Sequence, residues 1–417
     1  MNFYDDYVKY VSGRIDSPLV FIEASGFHLL SATLSRYFQY AYIQHKTKPN
    51  TMFVLSSIPG RTRRSTLASI DRSVYSLVYQ EIVKPMDAKT DKKKLVYDSI
   101  IEEGSPEGIL DGIGDYVKKV YGPYNIDYQS TEFGDVMKTM SGKNASYHRG
   151  VARIISKTYY GEGTKINLSK HGGKSRFLEE GVYSTMFGGM QKANLYIDPY
   201  HVEQGLLRRI ILVTPKDYRY KPFLDPFRER DRDMSGFSDQ IKAIHDKITP
   251  IFKRLGEEIP VVPLPNVEAK LNEIDEQRAT AVAKDDSYEN LIKQSDSEHL
   301  LKLATLLAIN ECNISGDRLH VNIKHYEKAK DFFDRATGGN EEFYTNIGVV
   351  SRPAFTDSSS FNRILKYIPH LPGSVTKTYL YKYANIKKED LEPILEALIL
   401  SGKVKELPGR SKKYGKS

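Results

Sequence analysis

The stretch SSIPGRTRRST, residues 56 to 66, contains residue types that could bind phosphate. In a phosphate-binding loop, backbone N–H groups at a helix N-terminus hold the phosphates, a lysine contacts the β and γ phosphates, and a hydroxyl meets Mg²⁺. Here Arg64 occupies the lysine position, and Arg63 stands where a glycine is common. The stretch alone is equally consistent with a basic surface turn. As a nucleotide site it would use the following residues, with the Ser65 hydroxyl as the Mg²⁺ ligand: Ser57, Gly60, Arg63, Arg64, Ser65 and Thr66.

A second candidate element is the segment YNIDYQSTEFG, residues 124 to 134. An NTPase places acidic residues at the end of a neighbouring strand, one to arrange the Mg²⁺ shell and one to activate water. Glu132 can be the catalytic base, but Thr131 stands where the first acid is expected. The segment is also consistent with an ordinary strand followed by a capped helix.

Three further polar residues follow in order. Gln191 ends the strand-like run GVYSTMFGGMQ and could sense the γ phosphate. Arg208 or Arg209, in GLLRR, could act as an arginine finger on nucleotide bound by a neighbouring subunit. Each residue in isolation is also consistent with a structural role. Their order along the chain is what favours a nucleotide site.

Composition and charge limit the class of protein. A chain of 417 residues indicates two or three domains. No apolar run reaches the roughly 18 residues needed to span a bilayer, and the N-terminus lacks the features of a secretory signal, so we expect a cytoplasmic protein with no membrane partner. Cys312 is the only cysteine, which excludes an intrachain disulfide. The net charge of +8 favours a polyanionic partner.

The elements that would position these residues follow from hydrophobic periodicity. Strand-like and helical runs alternate over residues 51–215, which predicts a mainly parallel α/β sheet. Residues 1–50 and 266–350 are interpreted as helical, and residues 216–265, rich in Pro, Asp and Arg, as a linker and surface arm. Residues 355–417 read as two helices, a short turn, a third helix and a strand, the order of a winged helix-turn-helix.

Basic residues in two places are candidates for DNA binding. In a winged helix the third helix enters the major groove and the wing contacts the backbone, which predicts contacts from Lys387, Lys388, Lys403, Lys405, Arg410, Lys412 and Lys413. The hairpin-like segment NLSKHGGKSRF carries Lys174 and Arg176, which could line the pore of a ring against a strand backbone. A winged helix also serves as a protein-binding module, and a plain exposed hairpin is equally consistent with the second segment.

Taken in order, these motifs resemble the P-loop ATPase domain of the primase-helicase-like proteins of phages, plasmids and other mobile elements. The resemblance covers residues 17–215, roughly half of the chain, and is carried by PNTMFVLSSIPGRTRRST, GSPEGILDGI, STEFGDVM, YYGEGTKI, FGGMQ and GLLRRIILV. It implies a RecA-like P-loop NTPase core with helical flanks and a C-terminal winged helix-turn-helix domain, ATP and Mg²⁺ as ligands, and a homo-oligomer such as a ring. In that family the loop usually ends in Arg, Lys, Ser, Thr, so the departures are Arg64 for lysine and Thr131 for aspartate.

We therefore expect a helicase-like ATPase that binds single- or double-stranded DNA and acts in the replication of a virus or plasmid, in the nucleoid or the host cytoplasm. The two altered positions lead us to expect ATP binding more than hydrolysis. One alternative is a non-catalytic DNA-binding initiator or loader that keeps the ATPase fold as a scaffold. Another is a transcription regulator that uses only the winged helix.

Overall fold

The computed structural model describes residues 2–42, 45–57, 62–102, 104–141, 145–167, 175–178, 180–191, 205–216, 234–285, 287–340, 364–365, 367–369, 375–383, 391, 395, 398, 404–407 and 413–416. Contacts divide the chain into two compact units, one of Met1–Tyr196 with Tyr200–Phe343 and one of Ile197–Pro199 with Tyr344–Ser417. Within the described ranges, no helix has the length and apolar character needed to cross a bilayer.

The first half of the first unit contains, in chain order, α1 (Phe3–Ser12), α2 (Leu19–Leu34), a 3₁₀ turn (Ser35–Tyr37), β1 (Phe38–Tyr42), β2 (His45–Thr47), β3 (Met52–Ser57), α3 (Arg64–Ile82), α4 (Lys92–Ser99), β4 (Ile100–Ile101), α5 (Pro106–Val117), β5 (Tyr124–Ser130), α6 (Phe133–Ser141) and α7 (Ala145–Tyr160).

The second half continues with β6 (Thr164–Asn167), β7 (Ser175–Leu178), β8 (Val182–Gln191), a 3₁₀ turn (Leu207–Arg209), β9 (Ile211–Val213), α8 (Ser235–Leu255), β10 (Ile259–Pro263), α9 (Pro265–Lys284), α10 (Tyr288–Lys293), α11 (Asp296–Asn310), β11 (Ile314–Ser315), β12 (Arg318–Val321) and α12 (Ile323–Thr337).

A parallel sheet of five strands, in the order β4, β5, β8, β3, β9, lies in this unit. Every residue of β3 is buried, and β8 is buried except at its last residue. Strands covered on both faces read as continuous apolar runs, which is why TMFVL and VYSTMF stand out in the sequence. The mixed α/β fold with a mainly parallel sheet is therefore confirmed.

The interpretation of residues 216–265 as a linker and surface arm is wrong for residues 235–263. Those residues form α8, whose apolar face includes the buried Ile241, Ile244 and Ile248, and the strand β10. β10 pairs in parallel with both β1 and β12 and lies between them in a second five-stranded sheet. Proline and charge dominated the composition of the segment, but the 3.6-residue apolar spacing in α8 was the stronger signal.

Two other segments predicted as helical contain strands. The periodic run FHLLSATLSRYFQYAYIQ is helical only to Leu34, and Phe38–Tyr42 form β1, as the strand preference of aromatic residues favours. Between α11 and α12, β11 and β12 form an antiparallel hairpin. Its two-residue turn has positive φ values of 56° at Gly316 and 62° at Asp317, which is the backbone of a tight hairpin turn.

The second unit contains β13 (Val375–Thr376), α13 (Lys377–Tyr383), β14 (Val404–Leu407) and β15 (Lys413–Lys416). The three strands form an antiparallel sheet in the order β13, β15, β14. A buried cluster of apolar side chains forms the core of this unit: Ile364, Ile368, Leu380, Leu391, Leu395, Leu398, Val404 and Tyr414.

A fully buried ion cluster joins three elements of the first unit. His28 of α2 lies between two carboxylates, with Nδ1 2.9 Å from Asp71 of α3 and Nε2 2.8 Å from Asp127 of β5. Ser25 donates a hydrogen bond to the other oxygen of Asp71 at 2.7 Å, and Gln129 donates one to Asp127 at 2.7 Å. Burial alone would lower the pKa of His28, but the two carboxylates outweigh it and raise that pKa to about 10.

This cluster predicts a pH-dependent stability. The folded-state pKa of His28 lies above its unfolded value of about 6.5, so its contribution is fully present below pH 6.5 and is lost as the pH rises toward 10. The difference in unfolding free energy between the wild type and the His28→Gln variant, measured by urea titration, should fall by about 1 kcal/mol between pH 7 and pH 8.

The comparison with the variant is needed because a buried lysine acts in the opposite direction. Burial lowers the pKa of Lys302 to about 8, so stability is regained as the pH rises through that value in both proteins. A difference between wild type and variant that is constant between pH 7 and pH 8 would contradict a protonated His28.

Candidate nucleotide site at the strand ends

The predicted loop, acid and sensor residues meet at one edge of the parallel sheet. β3, β8 and β5 are adjacent and run in the same direction, so their carboxyl ends lie together. Ser57 at the end of β3 is in register with Gln191 at the end of β8, and β5 ends one residue before Thr131. The chain leaves β3 toward β4 and β5, but leaves β8 toward β9 on the other side. Ligands of open α/β sheets bind where neighbouring connections diverge in this way.

The described parts of the loop join the end of β3 to the start of α3. The hydroxyls of Ser57 and Thr62 lie 2.7 Å apart, and Ser17 donates a hydrogen bond to the Thr62 carbonyl at 2.8 Å. Arg63 adopts a left-handed backbone with φ of 48° immediately before the helix. Glycine adopts this left-handed backbone conformation readily, whereas residues with a side chain rarely do. The expectation that position 63 suits glycine is therefore confirmed for the backbone conformation. Gly60 lies outside the described residues.

The side chain of Arg64 is buried next to the carboxyl ends of β3 and β8. Its Nη1 donates to the carbonyl of Met190 and lies 3.5 Å from that of Leu55, and its Nη2 lies 3.5 Å from the carbonyl of Thr131. The side chain is 9% exposed. Burial lowers the pKa of Arg64 and the nearby Glu132 opposes that change. The guanidinium thus connects the ends of β3 and β8 with the residue that follows β5.

The backbone of β8 makes room for this arginine at Gly189. A Cβ placed on Gly189 would lie 2.6 Å from Nε of Arg64 and 2.8 Å from the carbonyl oxygen of Thr131. Both distances are shorter than any ordinary contact. Glycine at this position therefore permits the arginine to lie flat across the strand ends.

A polar cavity of about 610 Å³ opens beside the first turns of α3. Its lining includes the hydroxyl residues Ser65, Ser69 and Thr131 and the ion pair of Arg72 with Glu102. Ser65 and Thr66 are exposed in the first turn of the helix. The lining also includes Gln129 and Phe187, and its hydroxyls, amide and arginine are groups that can donate hydrogen bonds to phosphate oxygens.

The carboxylates described at this edge are paired with arginines. Glu132, whose side chain is 43% exposed, has Oε1 3.8 Å from Nη2 of Arg64, and Glu102 is paired with Arg72. The loop residues 58–61, IPGR, add no carboxylate. In the described part of the chain no group of three or more His, Cys, Asp or Glu residues could hold a metal ion. Mg²⁺ is usually held through one or two carboxylates together with substrate phosphates, and the two carboxylates named here are already paired with arginines.

The candidate arginine fingers lie at the opposite edge of the sheet. Arg208 and Arg209 immediately precede β9, so they stand at the amino end of a strand whose carboxyl end is at the loop edge. Arg208 is exposed, and its carbonyl accepts a hydrogen bond from His299 at 2.9 Å. Arg209 stacks on Tyr160, with its guanidinium carbon 5.0 Å from the ring centroid.

Most predicted DNA contacts lie outside the described residues. These are Lys174, Lys387, Lys388, Lys403, Arg410 and Lys412. Arg176 belongs to β7, which pairs with β6 and confirms the predicted hairpin, and Lys413 belongs to β15. Lys405 of β14 is exposed.

Reasoning from the sequence missed two buried polar residues of β5, Asp127 and Gln129. Asp127 lies in the middle of β5 and Gln129, which lines the cavity, donates a hydrogen bond to it. The sequence contained a signal, because Asp127 is a charged residue within a predicted strand and His28 is a titratable residue within a predicted apolar helix. Buried charges of this kind require partners, so each predicts the other.

No protein-family model matches the chain, and no curated protein matches it significantly.

Substituting Gly189 should test the position of Arg64. Gly189→Ala should lower the free energy of unfolding by about 1–3 kcal/mol, because the added methyl group overpacks against the guanidinium and the Thr131 carbonyl. Urea denaturation measures the change. The matched control is Gly112→Ala in α5, where a Cβ would meet nothing within 4 Å and alanine favours the helix. Equal effects of the two substitutions would contradict the described packing.

Proposed function

We propose that this chain is a DNA-binding protein of viral or plasmid replication with a RecA-like P-loop core that binds a nucleotide and hydrolyses it weakly or not at all. The observation that carries the proposal is the position of Arg64, held among strand-end carbonyls and paired with Glu132. An arginine in this position keeps the positive charge of a phosphate loop, but it is already bound to other groups.

Nucleotide binding is supported by the convergence of the three predicted elements. The end of β3, the end of β8 and the Thr131–Glu132 turn after β5 meet at the carboxyl edge, next to the first turn of α3. The N–H groups and exposed hydroxyls at a helix N-terminus favour the binding of phosphate oxygens. The adjacent cavity, of about 610 Å³, lies in the size range of small-molecule and cofactor sites. In this proposal Ser57, Arg63, Ser65 and Thr66 surround the phosphates, and Gln191 lies across from Ser57.

Weak hydrolysis is supported by Thr131 and Glu132, the residues at the two positions where an ATPase would have acids. Glu132 would have to accept a proton from water, yet its carboxylate already lies 3.8 Å from the guanidinium of Arg64. Thr131 offers a hydroxyl in place of the carboxylate that would arrange a metal. The same two features favour the alternative of an initiator or loader in which the fold is a scaffold.

DNA binding is supported by the second unit. Its antiparallel sheet, the helix α13 and the buried helical residues Leu391, Leu395 and Leu398 are consistent with a winged helix. In that interpretation the β14–β15 hairpin is the wing, and the exposed Lys405 would contact a phosphate. The sequence places further cations around this hairpin and at the start of the third helix.

Assembly into a homo-oligomer is supported by the position of Arg208. Arg208 is exposed and precedes the amino end of β9, whereas the loop follows the carboxyl end of β3, so it could face the loop edge of a neighbour. We propose that Arg208 is the residue presented to the adjacent subunit, while Arg209 holds the turn through Tyr160 and Gly205.

Restoring the two altered positions should create hydrolysis. The double variant Arg64→Lys, Thr131→Asp should raise the rate of phosphate release from ATP with Mg²⁺ by at least about tenfold, because it returns a compact cation and a metal-arranging carboxylate. The control is Arg64→Lys, Thr131→Asn, which has nearly the same shape but no carboxylate. Efficient hydrolysis by the native protein, abolished by Glu132→Gln, would show an active ATPase and contradict weak hydrolysis.

Reversing one charge on the proposed wing should weaken DNA binding at every sequence. Lys405→Glu should lower the affinity for duplex DNA several-fold and reduce the slope of log affinity against log salt by about one, because one phosphate contact is lost. Fluorescence anisotropy over a series of salt concentrations gives both quantities. Lys270→Glu, at another exposed lysine, in α9, is the control and should have no effect. An unchanged salt slope in Lys405→Glu would place the DNA surface elsewhere.

A further inference from the structure

Two short segments of the first unit, one after α3 and one before β5, pair with each other and present a row of outward side chains. Pro85 and Val120 form an antiparallel bridge, which is flanked by two backbone hydrogen bonds of 2.8 and 2.9 Å. Val120 is buried, so its side of the bridge faces the interior. Because side chains alternate along paired segments, the neighbouring residues share the outward side, where three are exposed and Lys119 is partly exposed: Lys84, Met86, Lys119 and Tyr121.

The helix α4 adds a third element next to this bridge. Nζ of Lys119 lies 2.9 Å from Oδ2 of Asp98, which holds the helix beside the bridge. Lys93 and Tyr97 are both exposed, and their spacing of four residues makes them neighbours on one side of the helix. Together the outward residues of the three elements form the tyrosine–lysine surface: Lys84, Met86, Lys93, Tyr97, Lys119 and Tyr121.

The two tyrosines of this surface are the most exposed of the large apolar side chains in the part of the chain that the structure describes. Tyr97 is 67% exposed and Tyr121 is 59% exposed, and Met86 on the same surface is 45% exposed. Exposed apolar groups that lie together mark interaction sites. Aromatic rings that are open to solvent are the groups on which proteins stack unpaired bases.

The charge around the two rings is positive. Residues 84–99 and 115–122 contain seven lysines and four aspartates. The aspartates are engaged locally, because two accept hydrogen bonds from backbone N–H groups and two lie within 4.0 Å of lysines. Partial burial, and then the nearby cations Lys253 and Arg36, lower the pKa of Lys84, so further positive charge lies close to this surface. The excess of positive charge favours an anionic ligand.

Three of these lysines lie where they weaken the local structure. Lys92, Lys93 and Lys94 form the first turn of α4, at the positive end of the helix dipole, where acidic side chains are favoured. The stability of the helix therefore does not explain them. A bound polyanion would offset the repulsion among them.

We propose that the tyrosine–lysine surface binds a single-stranded nucleic acid, with bases stacked on Tyr97 and Tyr121 and phosphates paired with the lysines. A single strand fits this combination because its bases are free to stack, whereas the bases of a duplex are already stacked on each other. An acidic protein segment would match the charge but would leave the two rings without a specific role.

This surface is separate from the sites of the proposed function. Tyr121 precedes β5, so it lies at the amino edge of the parallel sheet, whereas the candidate nucleotide site lies at the carboxyl edge. The proposed wing belongs to the second unit. Binding at the tyrosine–lysine surface therefore requires neither a bound nucleotide nor the wing.

The first experiment measures the affinity of the full-length protein for a labelled oligothymidylate of about 20 nucleotides by fluorescence anisotropy. Tyr97→Ala, Tyr121→Ala should weaken this affinity by at least about tenfold, because two base stacks are lost. The matched control is Tyr97→Phe, Tyr121→Phe, which keeps both rings and should bind within about twofold of the native protein. The affinity for duplex DNA should change by less than about twofold in either variant, because the lysines are retained.

A charge variant separates base stacking from attraction to any polyanion. Lys93→Glu should weaken single-strand binding and reduce the slope of log affinity against log salt by about 0.7, and Lys270→Glu in α9 should leave both unchanged. A loss of affinity in Lys93→Glu with none in the alanine variant would identify a surface for polyanions such as acidic proteins, and it would overturn the inference.

Photo-cross-linking gives a readout on the native protein that does not depend on any variant. An oligonucleotide containing 5-iodouracil is irradiated in complex with the protein, and the adducts are located by mass spectrometry. Adducts should occur at Tyr97 and Tyr121, and adducts confined to other segments would overturn the inference. Thermal unfolding checks that each variant is folded. A native protein that does not bind single strands would also overturn the inference, while the proposed function would still be tested by duplex binding through Lys405.

Discussion

The contact between the Arg64 guanidinium and the carbonyls at the ends of parallel strands is the interaction on which this edge of the sheet depends. The last carbonyls of adjacent parallel strands converge, and buried carbonyls need donors. A guanidinium has five N–H groups in one plane and can serve several acceptors at once, whereas an ammonium group is a single point. The arginine that departs from a nucleotide-loop pattern is thus a structural element of the sheet, and the glycine opposite it gives it room.

The helix α3, which begins with Arg64, also contacts the rest of the unit through Asp71. Asp71, two turns along α3, contacts His28, which in turn contacts Asp127 in the middle of β5. The helix next to the loop and the strand next to the acid are therefore connected both at the surface and in the core. Removing one member of this buried ion cluster would leave an unpaired charge, so the connection between these elements is costly to break. Gln129 extends the same cluster from Asp127 to the cavity lining.

The parallel sheet could be predicted from the sequence because burial on both faces produces apolar runs that are visible locally. The proximity of Ser57, Gln191 and Glu132 could also be predicted from the sequence, since all three lie at or just after the ends of predicted strands. The direction of the Arg64 side chain could not be predicted, because its acceptors belong to residues that are brought together only by strand pairing. β10 was missed for a related reason: its partners β1 and β12 are remote in the chain, while the prolines of IPVVP are a strong local signal against a strand.

Residues 64, 131 and 189 contact one another, so their contributions to stability should be coupled. A lysine at 64 alone would leave several buried carbonyls without donors, and a larger residue at 189 is excluded while the arginine is present. An aspartate at 131 alone would bring a second acid next to Glu132. Because each single replacement disturbs contacts made by the others, their effects should not add. Replacing one of these residues alone should therefore disturb this edge of the sheet more than replacing a matched set.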